Sequence, residues 1–301
     1  MITLQKKTPV QLKDVESLSD LELKARQIVA GMMEGLHKSY QTGYNVEFKE
    51  YREYVPGNDT RQIDWKLFCR TERLFLKIKE TETHVNGYVL VDCSASMDFR
   101  SKGSTLTKWQ YAQQMASALM LFLAQQRDPV ALAIAGSTLD AFYENTMHPE
   151  TIRGMIHELG ETVPAGSFDF DAVMRRLLPL IKKQSLVFIL SDFYTDIGAA
   201  KEAVGHLRAR GCECFFLHIV DPVETDFSIE EETTLVDLED GSEFSVDPEV
   251  LRENYLKQFN QHVAALEDMM NRNHGVFLQM RTDRLPLGQL ATYLRGREAQ
   301  F

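Results

Sequence analysis

No long hydrophobic run occurs in this chain of 301 residues. A membrane-spanning helix needs roughly 18 consecutive apolar residues, and no segment reaches that length. The opening segment, MITLQKKTPVQLKDVESLSD, also lacks the apolar stretch of a signal peptide. We therefore expect a cytoplasmic protein with no membrane segment in this chain.

Cysteine and positive charge are both scarce. The four cysteines are Cys69, Cys93, Cys212 and Cys214. They have neither the paired spacing of a zinc ribbon nor the density of a disulfide-bonded secreted domain, so we expect reduced thiols. Lysine and arginine number 33 against 44 acidic residues, which gives a formal net charge of −11. Because nucleic-acid affinity depends on clustered basic side chains, we expect no nucleic-acid partner.

The first part of the chain combines a helical pattern with an alternating one. A capping box at Ser19-Asp20-Leu21-Glu22, followed by apolar residues at helical spacing, predicts a helix that ends near Ser39. Residues 44–82 then alternate with period two around turn residues at 56–59, which predicts a small β module. We therefore assign residues 1–84 to an N-terminal helix with a small β module, and residues 85–301 to the main domain.

From residue 85 onward, short apolar runs alternate with amphipathic stretches. The runs are GYVLVD (87–92), VALAIA (130–135), LVFIL (186–190), CFFLHIV (214–220) and VFLQM (276–280). Such runs are typical of strands that are buried on both faces. The helical patterns lie at 109–123, 170–182, 197–209, 249–273 and 286–297. The predicted fold class is therefore α/β, with a doubly wound, mostly parallel sheet.

Residues 221–248 interrupt this alternation. Two alternating runs flank Asp240-Gly241, which is typical of a β-hairpin turn. We interpret 221–248 as a β insertion and as a candidate to pack on the small β module. His218, Cys212 and Cys214 precede it in or beside a predicted strand, and we expect all three in the core.

Polar residues follow two of the predicted strands at their carboxyl ends, where open α/β sheets bind ligands. Asp92 is followed by Ser94 and Ser96, and alternate residues of an extended loop can face the same side. Asp192 follows LVFIL and would lie beside Asp92 if the two strands are neighbours. Oxygen ligands suit a hard cation, Mg²⁺ first and Mn²⁺ or Ca²⁺ as alternatives. Helix capping and turn formation are the other role open to these residues.

The segment VLVDCSASM resembles the Asp-x-Ser-x-Ser metal-ion-dependent adhesion motif of von Willebrand factor A domains, and ILSDF resembles the later strand-end aspartate of that family. Three further parts are similar to a bacterial family of von Willebrand factor A-like proteins of unknown function, the DUF58 type, often encoded beside MoxR-type AAA+ ATPases. They read EYREYVPGNDTRQIDW, then DPVETDF with DLEDGSE, then RTDRLPLGQLATYLRGR. The resemblance covers about residues 34–297.

This resemblance implies a non-enzymatic cytoplasmic adaptor for a MoxR-type AAA+ ATPase, acting in assembly or maturation of an unknown protein client. The metal site would be a contact point. The second metal loop of the family usually reads Gly-Gly-Thr-Asp, and the threonine hydroxyl is a ligand. Here the corresponding residues are Gly166-Ser167-Phe168-Asp169, so Ser167 or Asp169 would have to replace that hydroxyl. Otherwise the metal site is degenerate.

Two rival functions belong to other classes. A metal-dependent phosphohydrolase could use Asp92 as nucleophile, but it would be expected to carry an acidic residue where Ser94 stands, and no evident lysine partner follows. Phosphate-binding and acyl-nucleophile glycine motifs are also missing from the sequence. A structural scaffold with a degenerate metal site is the other rival, and Phe168 favours it. For the upstream segment we favour a structural role over a binding surface; its residues are Arg52, Arg61, Asp64, Trp65 and Arg70.

Overall fold

The computed structural model describes residues 20–37, 50–55, 60, 63–71, 73–78, 85–228, 233–236, 243–246 and 248–284. Several predicted features lie outside the described residues: Ser19, Arg61, the turns at 56–59 and 240–241, and the helical segment 286–297. The chain divides into two compact units, one formed by Met1–Leu36 with Val85–Phe301 and the other by His37–His84. No helix in the described part of the chain combines the length and apolar character needed to cross a membrane.

The described elements follow one another in this order: α1 (Asp20–His37), β1 (Glu50–Glu53), α2 (Trp65–Thr71), β2 (Phe75–Ile78), β3 (Gly87–Asp92), α3 (Lys108–Gln125), β4 (Val130–Ala135), β5 (Leu139–Thr146), α4 (Pro149–Glu161), α5 (Phe170–Leu177), β6 (Leu186–Ser191), α6 (Ile197–Ala209), β7 (Glu213–Val220), α7 (Pro222–Asp226), β8 (Thr233–Val236), β9 (Glu243–Val246), α8 (Pro248–Arg272) and β10 (Val276–Arg281).

The smaller unit contains β1, β2 and α2. The two strands pair antiparallel, with Glu53 opposite Phe75. Asp64 caps the start of α2, because its carboxylate accepts a hydrogen bond from the Leu67 N–H at 3.1 Å. The Trp65 ring packs edge-on against Phe68, with 6.1 Å between ring centroids. The alternating pattern did not predict α2, which is only seven residues long.

The larger unit is built on a six-stranded sheet with the order β10-β7-β6-β3-β4-β5. All neighbouring strands are parallel except the last pair, β4 and β5, which are antiparallel. This confirms the predicted α/β class and the doubly wound, mostly parallel sheet. Strands β8 and β9 pair antiparallel as a separate two-stranded sheet.

Helices cover both faces of this sheet. Every residue of β3 and of β4 is buried, as the continuous apolar runs predicted. Val89 and Val91 face a core that includes residues of α3 and α4, whereas Tyr88 and Leu90 face a core that includes residues of α5, α6 and α8. His218, Cys212 and Cys214 are buried, which confirms the expectation that they are core residues.

Helix α1 belongs to the larger unit, although the sequence analysis grouped it with the small β module. Ala25, Ile28 and Val29 are part of the core that contains α3 and α4. Glu22 also lies 3.4 Å from the Arg153 guanidinium of α4. Apolar burial and this ion pair together attach α1 to a domain that resumes only at residue 85.

Three further elements of the larger unit were not predicted. Strand β5 is an edge strand whose outer positions are polar, so LDAFYENT carries no continuous apolar run. Helix α4 has an amphipathic pattern that begins with Pro149, and α7 is only five residues long. The helix predicted at 170–182 ends at Leu177.

Candidate functional site

The site lies where the chain direction across the sheet reverses. Strands β3 and β6 are parallel neighbours, with Val91 opposite Leu190. From β3 the chain proceeds to β4 on one side, and from β6 to β7 on the other. Carboxyl ends of strands at such a point form the ligand crevice of doubly wound sheets. The fold therefore brings Asp92 and Asp192 to the same end of adjacent strands.

Asp92 organises the loop that follows β3. Its side chain is fully buried. One carboxylate oxygen, Oδ1, accepts a hydrogen bond from the Ser94 N–H at 2.8 Å, and the other, Oδ2, accepts one from the Ser191 hydroxyl at 2.6 Å. The loop then forms a single 3-10 turn over Ala95–Asp98. Asp92 thus fixes the loop and joins it to the end of β6.

Two serine hydroxyls connect this loop to Asp192. The Oγ atoms of Ser94 and Ser96 are 3.0 Å apart, and the Ser96 hydroxyl donates to Asp192 Oδ2 at 2.8 Å. We call Asp92, Ser94, Ser96 and Asp192 the Asp92 cluster. In octahedral Mg²⁺ sites with bonds of 2.0–2.1 Å, adjacent ligand oxygens lie about 2.9 Å apart. The separations between Ser94 and Ser96 and between Ser96 and Asp192 fit such a site.

Four of the six predicted ligands are therefore joined by hydrogen bonds, and two are not. Asp169 caps α5, since its carboxylate accepts a hydrogen bond from the Ala172 N–H at 3.0 Å. Ser167 is exposed. In the described part of the chain, no hydrogen bond joins either side chain to the Asp92 cluster. Phe168 is partly buried and packs edge-on against Phe170.

The loop before α5, which contains Gly166 and Ser167, nevertheless contacts the loop after β3 through its backbone. The Ala95 N–H donates to the carbonyl of Gly166 at 2.8 Å, and the Ala165 N–H donates to the carbonyl of Cys93 at 2.8 Å. Gly166 has a φ of +69°, a left-handed conformation that glycine adopts without strain. The two loops are thus paired, while the Ser167 and Asp169 side chains stand apart from the cluster.

Lys108 is a site residue that the sequence did not reveal, and it corrects the expectation that these aspartates have no lysine partner. It is the first residue of α3, and its ammonium donates to Asp192 Oδ2 at 2.8 Å and to Glu224 Oε1 at 2.9 Å. Its side chain is only 2% exposed. A lysine in the first turn of a helix opposes the helix dipole, and this signal could have indicated an acidic partner.

Glu224 brings a third strand end to the site, because it lies in α7 directly after β7. Its Oε2 atom accepts from the Asp221 N–H at 2.6 Å, completing a capping box, while Oε1 accepts from the Lys108 ammonium. The Tyr194 hydroxyl also donates to Oε1 at 3.3 Å. Lys108 therefore links the end of β6 to the end of β7.

The two aspartates of the site differ in how readily they ionise. Burial, together with the charge of Asp192, raises the pKa of Asp92 to about 7. Burial also opposes the charge of Asp192, but Lys108 and the hydrogen bonds from Lys108 and Ser96 outweigh it and lower the Asp192 pKa. Lys108 remains a cation because Asp192 and Glu224 raise its pKa despite burial.

The donor set suits a hard cation. In the described ranges, no group of three or more His, Cys, Asp or Glu side chains is arranged to hold a metal ion. An ion at this loop would therefore use serine hydroxyls beside the two aspartates, an all-oxygen set that Mg²⁺, Mn²⁺ or Ca²⁺ accepts. The raised pKa of Asp92 marks a buried carboxylate that a nearby cation would stabilise.

Comparisons with known proteins agree with the family resemblance. The family described as "Protein of unknown function DUF58" matches residues 50–265. The uncharacterized proteins Rv1480 of Mycobacterium tuberculosis and Mb1516 of Mycobacterium bovis are each 25% identical to this chain over 288 residues, covering 93% of it and 89% of their own length.

Solved structures with a similar arrangement have low sequence identity. The conserved hypothetical protein BatB from Bacteroides thetaiotaomicron is 15% identical, with a TM-score of 0.48 over 72% of this chain and 100% of its own. The VWA domain of SpRpn10 is 10% identical, with a TM-score of 0.41 over 69% of this chain and 94% of its own.

Proposed function

The chain belongs to the DUF58 family of proteins of unknown function, and from that starting point we propose that it is a non-enzymatic, protein-binding adaptor. Its Asp92 cluster would hold a divalent cation, Mg²⁺ first, through which a partner docks. The observation that carries this proposal is the hydrogen-bonded chain from Ser94 through Ser96 to Asp192, beside the buried Asp92.

The chemistry of the cluster favours docking over turnover. Serine hydroxyls are neutral ligands, so an ion held partly by Ser94 and Ser96 keeps enough positive charge to accept a carboxylate from a partner. Both carboxylate oxygens of Asp92 already accept hydrogen bonds from Ser94 and Ser191. Asp192 Oδ2 accepts from Ser96 and Lys108. These hydrogen bonds leave carboxylate lone pairs free for an ion. A phosphohydrolase would be expected to carry an acidic residue two positions after its nucleophile, where this chain has Ser94.

We further propose that the partner is a MoxR-type AAA+ ATPase in the cytoplasm and that the pair acts on an unknown protein client. This part rests on the family resemblance, and the net charge of −11 agrees with a protein partner rather than a nucleic acid. A scaffold with a degenerate metal site is the second candidate. The capping role of Asp169 and the exposed position of Ser167 favour it.

Ion binding and partner capture test the proposal together. Isothermal titration calorimetry with Mg²⁺, Mn²⁺ and Ca²⁺ should detect binding to the wild type, and Ser96→Ala should weaken it by about tenfold or more, because a ligand is lost. Ser228→Ala, at an exposed serine, is the matched control.

Affinity capture from the native cell with added nucleotide should recover an AAA+ ATPase, and chelation or Ser96→Ala should reduce its recovery.

The outcomes separate the candidates. A folded wild type that responds to none of the three ions contradicts the ion site and favours the scaffold. Recovery of no ATPase by the wild type contradicts the proposed partner. Turnover of a generic phosphatase substrate, abolished by Asp92→Ala, would replace the adaptor with an enzyme.

A further inference from the structure

The Asp92 cluster already contains a cation of its own. The Lys108 ammonium lies 2.8 Å from Asp192 Oδ2, and Ser96 Oγ lies 2.8 Å from the same oxygen. An ion that used Ser94, Ser96 and Asp192 as ligands would therefore share this carboxylate with the ammonium. Two cations close to one oxygen repel each other strongly where water is excluded.

Lys108 is held so that it cannot easily withdraw. Its side chain is 2% exposed, and Glu224, which is 12% exposed, accepts a second hydrogen bond from the ammonium at 2.9 Å. The rings of Phe99 and Tyr194 lie 6.0 Å and 5.7 Å from the Nζ atom. If the ammonium left this position, the carboxylates of Asp192 and Glu224 would remain buried without a counter-ion, which is costly.

We propose that Lys108 sets the ion affinity of the Asp92 cluster: its buried ammonium competes with a divalent cation for Asp192 and keeps that affinity low. This inference rests on the ion site of the proposed function. Lys108 then has two effects: it supplies the charge that keeps Asp192 ionised, and it opposes the ion that Ser94 and Ser96 would help to hold.

The experiment measures ion affinity when this charge is removed. Lys108→Met keeps an unbranched stem in the buried position and removes the ammonium, so Mg²⁺ and Mn²⁺ should bind about tenfold or more tightly than to the wild type in calorimetric titrations. Lys108→Arg keeps the positive charge and should retain the weak affinity. Lys201→Met removes one positive charge at an exposed position of α6 and should leave the affinity unchanged.

A second variant and a second readout cover the case in which Lys108→Met does not fold. Lys108→Met with Glu224→Gln removes one charge of each sign, and replacing both members of a buried ion pair is often tolerated. It should also bind the ions more tightly than the wild type. In the wild type, the solvent-protected ¹⁵N-lysine ammonium signal of Lys108 should shift when saturating Mg²⁺ is added, because the two cations share Asp192.

Failure of this inference and failure of the ion site give different results. If the wild type binds the ions and the folded Lys108→Met variants bind them with equal or lower affinity, or if the ammonium signal does not shift, the inference is overturned and the ion site is left intact. Binding by the Lys108→Met variants alone supports the inference and contradicts ion-dependent docking by the wild type. No binding by any folded variant overturns both.

Discussion

At the scale of single residues, Asp92 and Asp192 are the same side chain in two different environments. Both are buried, but only Asp192 touches the Lys108 ammonium. The pKa of Asp92 is therefore raised to about 7 by burial and by the charge of Asp192, whereas contact with Lys108 lowers the pKa of Asp192. Position at a strand end determines where each carboxylate lies, and the nearest cation determines which one is readily ionised.

His218 allows the effect of burial on the pKa of a single side chain to be tested. It lies in β7, among the rings of Phe193, Phe259 and Phe277. Burial lowers its pKa from 6.5 to about 3; Asp192 opposes this change and Lys108 adds to it. The unfolded chain takes up the proton near pH 6.5, so the neutral ring stabilises the fold fully above that pH. This stability is lost as the pH falls from 6.5 toward 3.

We predict that the free energy of unfolding falls by about 2 kcal/mol through His218 alone when the pH is lowered from 8 to 5, because the pKa of His218 differs between the folded and unfolded states. Over this interval the His218→Phe variant should lose about 2 kcal/mol less of its free energy of unfolding than the wild type. Urea unfolding at both pH values measures this difference. His206→Phe, at an exposed histidine of α6, should behave like the wild type. An equal pH dependence in the wild type and His218→Phe would refute the prediction.

At the scale of elements, the start of α3 positions Lys108. Thr107 caps this helix: its hydroxyl accepts from the Gln110 N–H at 3.1 Å, and the Gln110 side chain accepts from the Thr107 N–H at 3.1 Å. This reciprocal pair satisfies two backbone N–H donors, those of Gln110 and Thr107, beside the buried ammonium. A lysine is tolerated at this helix start because acidic partners from two other strand ends compensate its charge.

Thr107→Ala should lower the free energy of unfolding by about 1 kcal/mol, since a helix-capping hydrogen bond is lost. Denaturant unfolding at neutral pH measures this change. Thr107→Ser keeps the hydroxyl and should retain most of the stability. If Thr107→Ala and Thr107→Ser are equally stable, the capping box contributes nothing and α3 is positioned by core packing alone.

Within the six-stranded sheet, the sequence predicted the strands that form continuous apolar runs and missed β5, which has none. Strand β3 could be predicted because all its residues are buried, whereas β5 combines buried positions with exposed polar ones. Among the site residues, Asp92, Ser94 and Ser96 are adjacent, and Asp192 follows its own apolar run. Lys108 forms ion pairs with residues 84 and 116 positions away, so its position in the first turn of α3 could indicate an acidic partner but could not identify which residues supply it.

At the scale of the whole molecule, the chain is not organised in sequence order. The larger unit takes α1 from before the smaller unit and everything from Val85 after it. The family match, residues 50–265, includes both β1 and β2 of the smaller unit and most of the main sheet. Apolar periodicity in α1 predicted a buried face, but nothing in the sequence specified which part of the chain would cover it. The core residues of α1 supply that answer.

The attachment of α1 can be tested with one buried and one exposed position of the same helix. Val29 is 1% exposed and lies in the core that contains α3 and α4. Val29→Asp should therefore lower the free energy of unfolding of the larger unit by about 3 kcal/mol or more, because a carboxyl group would be buried without a partner. Gln27→Asp introduces the same group at an exposed position and should change stability far less. With Trp65 replaced by Phe in every variant, unfolding followed by the fluorescence of Trp109, which is 4% exposed in that core, reports on the larger unit. Equal effects of the two substitutions would mean that α1 does not pack on this core in solution.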